Sequence, residues 1–268
     1  MISKPWCAHT GNGMIETNVI YVIVAREFKK FIREKSRLIS TLARPLLWLF
    51  LIGGGMSRLV PGGENVSYIQ FIFPGILGMT ILFSAIFSSI SIIWDKEFGF
   101  MKEILVAPVS RFSVVVGKAT SGMVLSTLQA IIVLCLFPII GLRLDPMQVL
   151  GVILVSAILS FALAAFGILL ASFYDSYESF SVIMNFIVMP MFFLSGAMYP
   201  VKLLPTVLKF LSKLNPLTYG VDALKNIVFP HETGRMSADF PLSLDMLVIT
   251  SLAVVFVLVA GKVFERKQ

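Results

Sequence analysis

The sequence predicts an all-α membrane protein that crosses the bilayer about six times, and composition, run length and run texture carry that expectation. Of the 268 residues, 57% are hydrophobic and only 14% are charged. With a mean hydropathy of +0.90, the chain holds more apolar surface than a soluble core can hide, so lipid must solvate most of it. The apolar residues fall into runs long enough for a helix to cross a hydrocarbon layer about 30 Å thick. These runs are continuous rather than alternating, and an open sheet in lipid would strand backbone polar groups. Helices are therefore expected throughout.

Residues 1–17 have no apolar core ahead of a small-residue cleavage site, so they are expected to form a flexible tail rather than a secretory signal. A helix follows from about Ile20 to Arg37. Arg26, Lys29, Lys30, Arg33 and Arg37 recur on one face, and Ile20, Val24, Phe28 and Phe31 on the other. Such a helix suits the membrane interface, its apolar side in the acyl boundary and its cations toward anionic lipid headgroups. Six apolar runs come next, over residues 38–59, 69–93, 114–141, 149–173, 181–198 and 242–264. The fifth is short and contains Pro190. Between the fifth and sixth, residues 199–241 include apolar stretches from Val201 to Leu211 and from Leu217 to Phe229. These are too short to cross and are expected to dip back as half-helices.

Basic residues set the orientation. In the six-span arrangement fifteen lie on the side of both termini and seven on the other, five of those in the connection from Tyr199 to Pro241. Both termini are therefore expected in the cytoplasm. The same placement accounts for the pI near 9.5, so nucleic acid is not an expected partner. Cys7 and Cys135 lie far apart and form neither a disulfide framework nor a metal site.

What the runs lack narrows the function. Ion-coupled transporters keep ionisable groups near the midplane. Here Arg44 and Lys118 are expected to snorkel at the cytoplasmic ends, leaving neutral Gln129 and Asn185 at the centre. Gly117-Lys118-Ala119-Thr120 is no phosphate-binding loop, because position 112 is Phe112. His9 and His231 lie outside the runs, and no nucleophile has a base beside it. An enzyme is not expected, and any energy input must come from another chain.

The stretch Trp94 to Arg111 is distinctive. Charges of both signs alternate with large apolar residues, and Pro108 limits any helix within it. That composition suits presentation to a protein partner, with apolar side chains filling a groove and charges fixing register. The stretch resembles the cytoplasmic signature of the ABC-2 family of ABC-transporter permeases at Glu97, Gly99, Glu103, Leu105, Pro108, Ser110 and Arg111. It departs conservatively at Asp95 and Lys96 and more sharply at Phe100. Phe193 to Pro200, Leu204-Pro205 and Asn215 to Lys225 resemble the fifth span and external segment of drug-resistance and nodulation-factor exporters in that family. Phe73-Pro74-Gly75 adds a third match.

The resemblance covers nearly the whole chain from about Val19, and so implies a single transmembrane domain over residues 18–268. It implies a permease dimer in a cell membrane, the inner one where there are two. Two copies of a separate ATP-binding subunit would bind ATP and magnesium, leaving this chain without a cofactor. Docking of that subunit would fall to Asp95, Lys96, Glu97, Gly99, Glu103, Ile104, Leu105 and Pro108. Substrate would pass between permease copies along Phe83 and Phe87 of the second span and Asn185, Met189 and Phe192 of the fifth, each set lying on one helical face. An alternative is that both stripes pack inside one subunit. The Phe-rich composition suits an amphipathic or lipid-like cargo. A membrane scaffold or channel is the competing reading, and a channel would need polar or charged pore rings that the runs lack.

Overall fold

The computed structural model describes residues 16–34, 39, 43–56, 67–99, 109–230 and 237–266. Among these the chain is helical, with no strand. Helix α1 spans Thr17–Arg33, and α2 spans Ala43–Met56, its turns Trp48–Gly53 widened to π spacing. Helices α3 (Tyr68–Ser88) and α4 (Ile90–Glu97) run as one rod interrupted at Ser89. Then come α5 (Arg111–Leu134), α6 (Pro146–Ala171) and α7 (Tyr177–Phe193). Two short helices, α8 (Thr206–Leu214) and α9 (Pro216–Val228), precede α10 (Leu242–Arg266).

Helices long and apolar enough to cross a membrane are Tyr68–Glu97, Arg111–Leu134, Pro146–Ala171 and Leu242–Phe264, while Ala43–Met56 and Tyr177–Phe193 are shorter apolar helices. A helix thus overlaps each of the six expected apolar runs, four of them long and apolar enough to cross, and the ends differ. The third stops at Leu134 and gives way to turns over residues 135–141, because Pro138 has no N–H to continue the ladder. The fifth begins earlier, at the Ser176 cap whose hydroxyl accepts from the Ser179 N–H at 3.3 Å. It ends before Gly196, whose φ of +75° turns the chain away. Asp145 and Gln148 form a reciprocal capping box at the start of α6, with Pro146 in the first helical position.

Helix α3 is the axis of the bundle. Every residue from Phe71 to Ile86 is buried, packed on by α2, α5, α6, α7 and α9. Apolar burial drives little association in lipid, so close helix contact depends on small residues. A Cβ on Gly122 would meet Ser88 Oγ at 2.5 Å and Ala164 Cβ at 2.7 Å, and one on Gly167 would meet Ser89 Oγ at 2.9 Å. These glycines draw α5 and α6 against the break in the central rod. Helix α10 lies on the outside of α5, α6 and α9 and leaves Leu247, Val254 and Leu258 exposed as a lipid-facing surface.

Helix α1 is only partly free. Its backbone starts with the Glu16 N–H donating to Ser113 Oγ at 2.9 Å, and Ile20 and Ile23 pack where Gly117 of α5 leaves room. Phe31 is buried, while Tyr21, Val22, Phe28 and Ile32 are exposed. The apolar face expected to lie wholly on lipid is therefore divided between α5 and the outside. Arg26, Lys29 and Arg33 remain exposed, and Lys30 Nζ sits 4.5 Å above the Trp94 ring.

Candidate functional site: a charged joint and a cleft

Asp95, Lys96 and Glu97 end α4, and each ties that end to a different element. Asp95 is buried and accepts from Lys118 Nζ at 2.6 Å and from Arg26 at 3.2 Å. Lys118 Nζ also donates to Glu27 at 2.8 Å and to Ser91 Oγ at 3.0 Å. Lys96 Nζ caps the end of α6, donating to the carbonyls of Ala171 at 3.3 Å and Tyr174 at 3.0 Å, and pairs with Asp175 at 3.2 Å. Glu97 accepts the first N–H of α7, from Tyr177, at 2.9 Å. Gly99, with φ of +79°, then turns the chain out of the helix.

This geometry corrects the snorkelling expected of Lys118. Its residue is only 5% exposed, and the cation is enclosed by carboxylates from α1 and α4. Removing one partner of such a group leaves a buried charge uncompensated, so the cluster holds α1, α4 and α5 in one arrangement. A lone lysine inside an apolar run was the available sequence signal, but its partners lie 91 and 23 residues away. Of the residues expected to dock a partner, Asp95, Lys96 and Glu97 are thus engaged within the chain. Phe98, beside them, is 72% exposed. Glu103, Ile104, Leu105 and Pro108 lie outside the described residues.

Next to the joint, a cleft of about 340 Å³ opens between α2, α3, α5 and the start of α7. Phe83 and Phe87 line it, their rings stacked at 5.9 Å. Arg44 stands at its edge, its guanidinium 4.3 Å from the Phe83 ring centre. The fifth-span residues do not join them. Asn185 is exposed, its amide donating to the Ser181 carbonyl at 3.1 Å, and Met189 is exposed on the outer side of α7 beside Val182 and Phe186. Phe192 turns inward instead, buried edge-on against Trp48 at 5.6 Å. Within one chain the two stripes therefore belong to separate surfaces, and Phe192 leaves its stripe.

At the opposite end, α9 carries buried charges, Asp222 and Lys225, that lie within the Asn215 to Lys225 motif. The Asp222 carboxylate accepts the backbone N–H groups of Asp239, at 2.8 Å, and Phe240, at 2.7 Å. Burial pushes its carboxyl up, against the pull of those N–H groups and Lys225. Lys225 Nζ donates to the Gly196 carbonyl at 2.6 Å and lies 4.5 Å from the Phe71 ring. Burial lowers it to about 8, while Asp222 and Asp239 act in the opposite direction. Asn226 donates to Asp245 of α10 at 3.1 Å. Three separate stretches of the chain are fastened together here.

A helical bundle with, among the described residues, four helices long and apolar enough to cross a membrane defines an all-α polytopic membrane protein. Residues 18–229 match the model of the ABC-2 type transporter family. The chain is 32% identical over 256 residues to the ycf38 transport permease of Cyanophora paradoxa, covering 92% of this chain and 88% of that one. It is 27% identical to the inner membrane transport permease YadH of Escherichia coli K12, over 91% of this chain and 93% of that one. Nodulation protein J of Rhizobium leguminosarum bv. viciae is 25% identical over 79% of this chain and 81% of its own. The chain belongs to the ABC-2 type transporter family and is a transporter permease subunit.

Proposed function

We propose that this chain is the membrane half of an ATP-driven exporter for amphipathic or lipid-like substrates. It works as two copies, each carrying one separate ATP-binding subunit on the side of α1 and residues 94–111. The partner subunits bind ATP and magnesium, and that side faces the cytoplasm of a cell or inner membrane. The observation that carries the reading is the joint at Asp95, Lys96 and Glu97, which links the root of the family's signature segment to α1, α5, α6 and α7. A displacement imposed on the segment after Gly99 is delivered through those bonds to several helices together. Closure of an ATPase dimer would in this way bias the permease between two arrangements around the cleft.

Phe98 is the exposed apolar side chain nearest that root. The variant Phe98→Asp is expected to lose co-purification of the ATP-binding subunit, because a carboxylate would be buried unpaired in the contact. Its own membrane insertion should be unchanged. An intact complex with full substrate-stimulated ATPase activity would overturn the coupling assignment.

The outer face of α7 suits a second permease copy. Val182, Phe186 and Met189 are exposed there, with Asn185 as a single amide among them. A cysteine placed at Met189 is expected to cross-link between two copies with a yield that changes when ATP is added. Labelling by a lipid-phase probe, with no cross-link in any nucleotide state, would assign this face to lipid instead.

A further inference from the structure

We propose that the cleft beside the joint binds an anionic amphiphile, with the acidic group on Arg44 and a hydroxyl or amine of the headgroup on Gln129. The inference rests on the exporter reading and gives its site a ligand class. Arg44 is the only charged side chain lining the cleft among the described residues, and no carboxylate lines it. Its guanidinium faces the Phe83 ring and makes no ion pair or hydrogen bond within the described chain. Lys118, by contrast, is neutralised by Glu27 and Asp95. A cation beside lipid without a counter-charge is costly, and a planar guanidinium is the group best shaped to hold a phosphate or carboxylate.

Gln129 supplies the second, independent pointer. It is 2% exposed, lines the same cleft, and its carbonyl oxygen is buried without a hydrogen-bond partner among the described residues. A buried unsatisfied acceptor is expensive, and a ligand donor would remove that cost. Met79, Phe83, Phe87 and Leu125 give the cleft apolar wall, while the hydroxyls of Thr80 and Ser88, which also line it beside Ser84, donate to their own helix carbonyls at Ile76 and Ala85. Aromatic rings and a thioether accept varied hydrocarbon shapes. One anionic group, one donor and an apolar body describe an amphiphile rather than a free ion or a neutral hydrocarbon.

Trp94 also lines the cleft and serves as a reporter. The purified full-length permease is placed in nanodiscs with increasing mole fractions of acyl-brominated phosphatidylglycerol or phosphatidylcholine, and tryptophan quenching lost in Trp94→Phe is recorded. Phosphatidylglycerol is expected to reach half-quenching at about tenfold lower mole fraction than phosphatidylcholine. Arg44→Gln should bring the ratio close to one, and Arg44→Lys should retain most of it. Gln129→Leu should weaken phosphatidylglycerol while leaving phosphatidylcholine unchanged. Equal quenching by both lipids, or selectivity untouched by Arg44→Gln, would overturn the proposal. So would full displacement of the lipid by millimolar inorganic phosphate, which would mark a free-anion site. The assay uses neither ATP nor a partner, so its failure leaves the exporter reading standing. Loss of ATPase pairing with selectivity intact would bring down the exporter reading alone.

Discussion

Lys118→Met is expected to destabilise the permease by about 3–5 kcal/mol, because it strips the shared cation from two buried carboxylates. Glu27 and Asp95 would face each other across the gap, with only Ser91 and the half-exposed Arg26 to answer them. The measurement is the thermal unfolding midpoint of the detergent-solubilised chain. Adding Glu27→Gln and Asp95→Asn to Lys118→Met should recover much of the loss, since neutral groups carry no charge-burial penalty. On the exporter reading proposed above, the triple variant should nevertheless transmit ATP hydrolysis poorly, the tie between α1, α4 and α5 having been cut. A single variant that unfolds at the wild-type temperature would show that the cluster does not hold these helices together.

Gly75→Val is expected to be comparably damaging for a steric reason. A Cβ at Gly75 would stand 2.4 Å from the Ala197 carbonyl oxygen and 2.6 Å from its Cα. These are backbone atoms in the turn that Gly196 and Pro200 hold, so the neighbour cannot swing aside. The cost should be about 3 kcal/mol or more, seen as a lower unfolding midpoint and as protease cleavage near residue 197. Gly151→Ala is the control, because its Cβ would meet only side-chain atoms of Ile227 at 3.3 Å. Its unfolding midpoint should stay near that of the wild type, and equal behaviour of the two variants would refute the close-packing account.

The crossing helices were legible because lipid imposes a simple code: long apolar runs become helices, and little else is permitted. Their ends were less so. Pro138 and Gly196 stop helices within apolar sequence that hydropathy reads as continuous. The signature segment was legible as a motif, yet composition alone could not say that Asp95 and Lys96 point inward while Phe98 points out. Charge next to apolar residues reads as a surface from sequence. Only the tertiary arrangement brings Glu27, Asp95 and Lys118 together from three helices. The stripe at Asn185, Met189 and Phe192 failed as a unit for a related reason: helical spacing puts residues on a common face but does not set where that face divides neighbour from lipid.

The fastening around α9 constrains the order in which the protein can be made. Asp222 obtains its backbone donors from Asp239 and Phe240, and Asn226 reaches Asp245, all of which follow α9 in the chain. Synthesis runs from the N-terminus, so α9 emerges before the backbone donors of Asp222 exist, whereas Gly196, the acceptor for Lys225, already precedes it. Until residues 239 and 240 follow, water must solvate the Asp222 carboxylate, which keeps α9 from settling between α3 and α6. Closure of this end of the bundle is therefore a late event of biogenesis, and a nascent chain halted before residue 239 leaves it open.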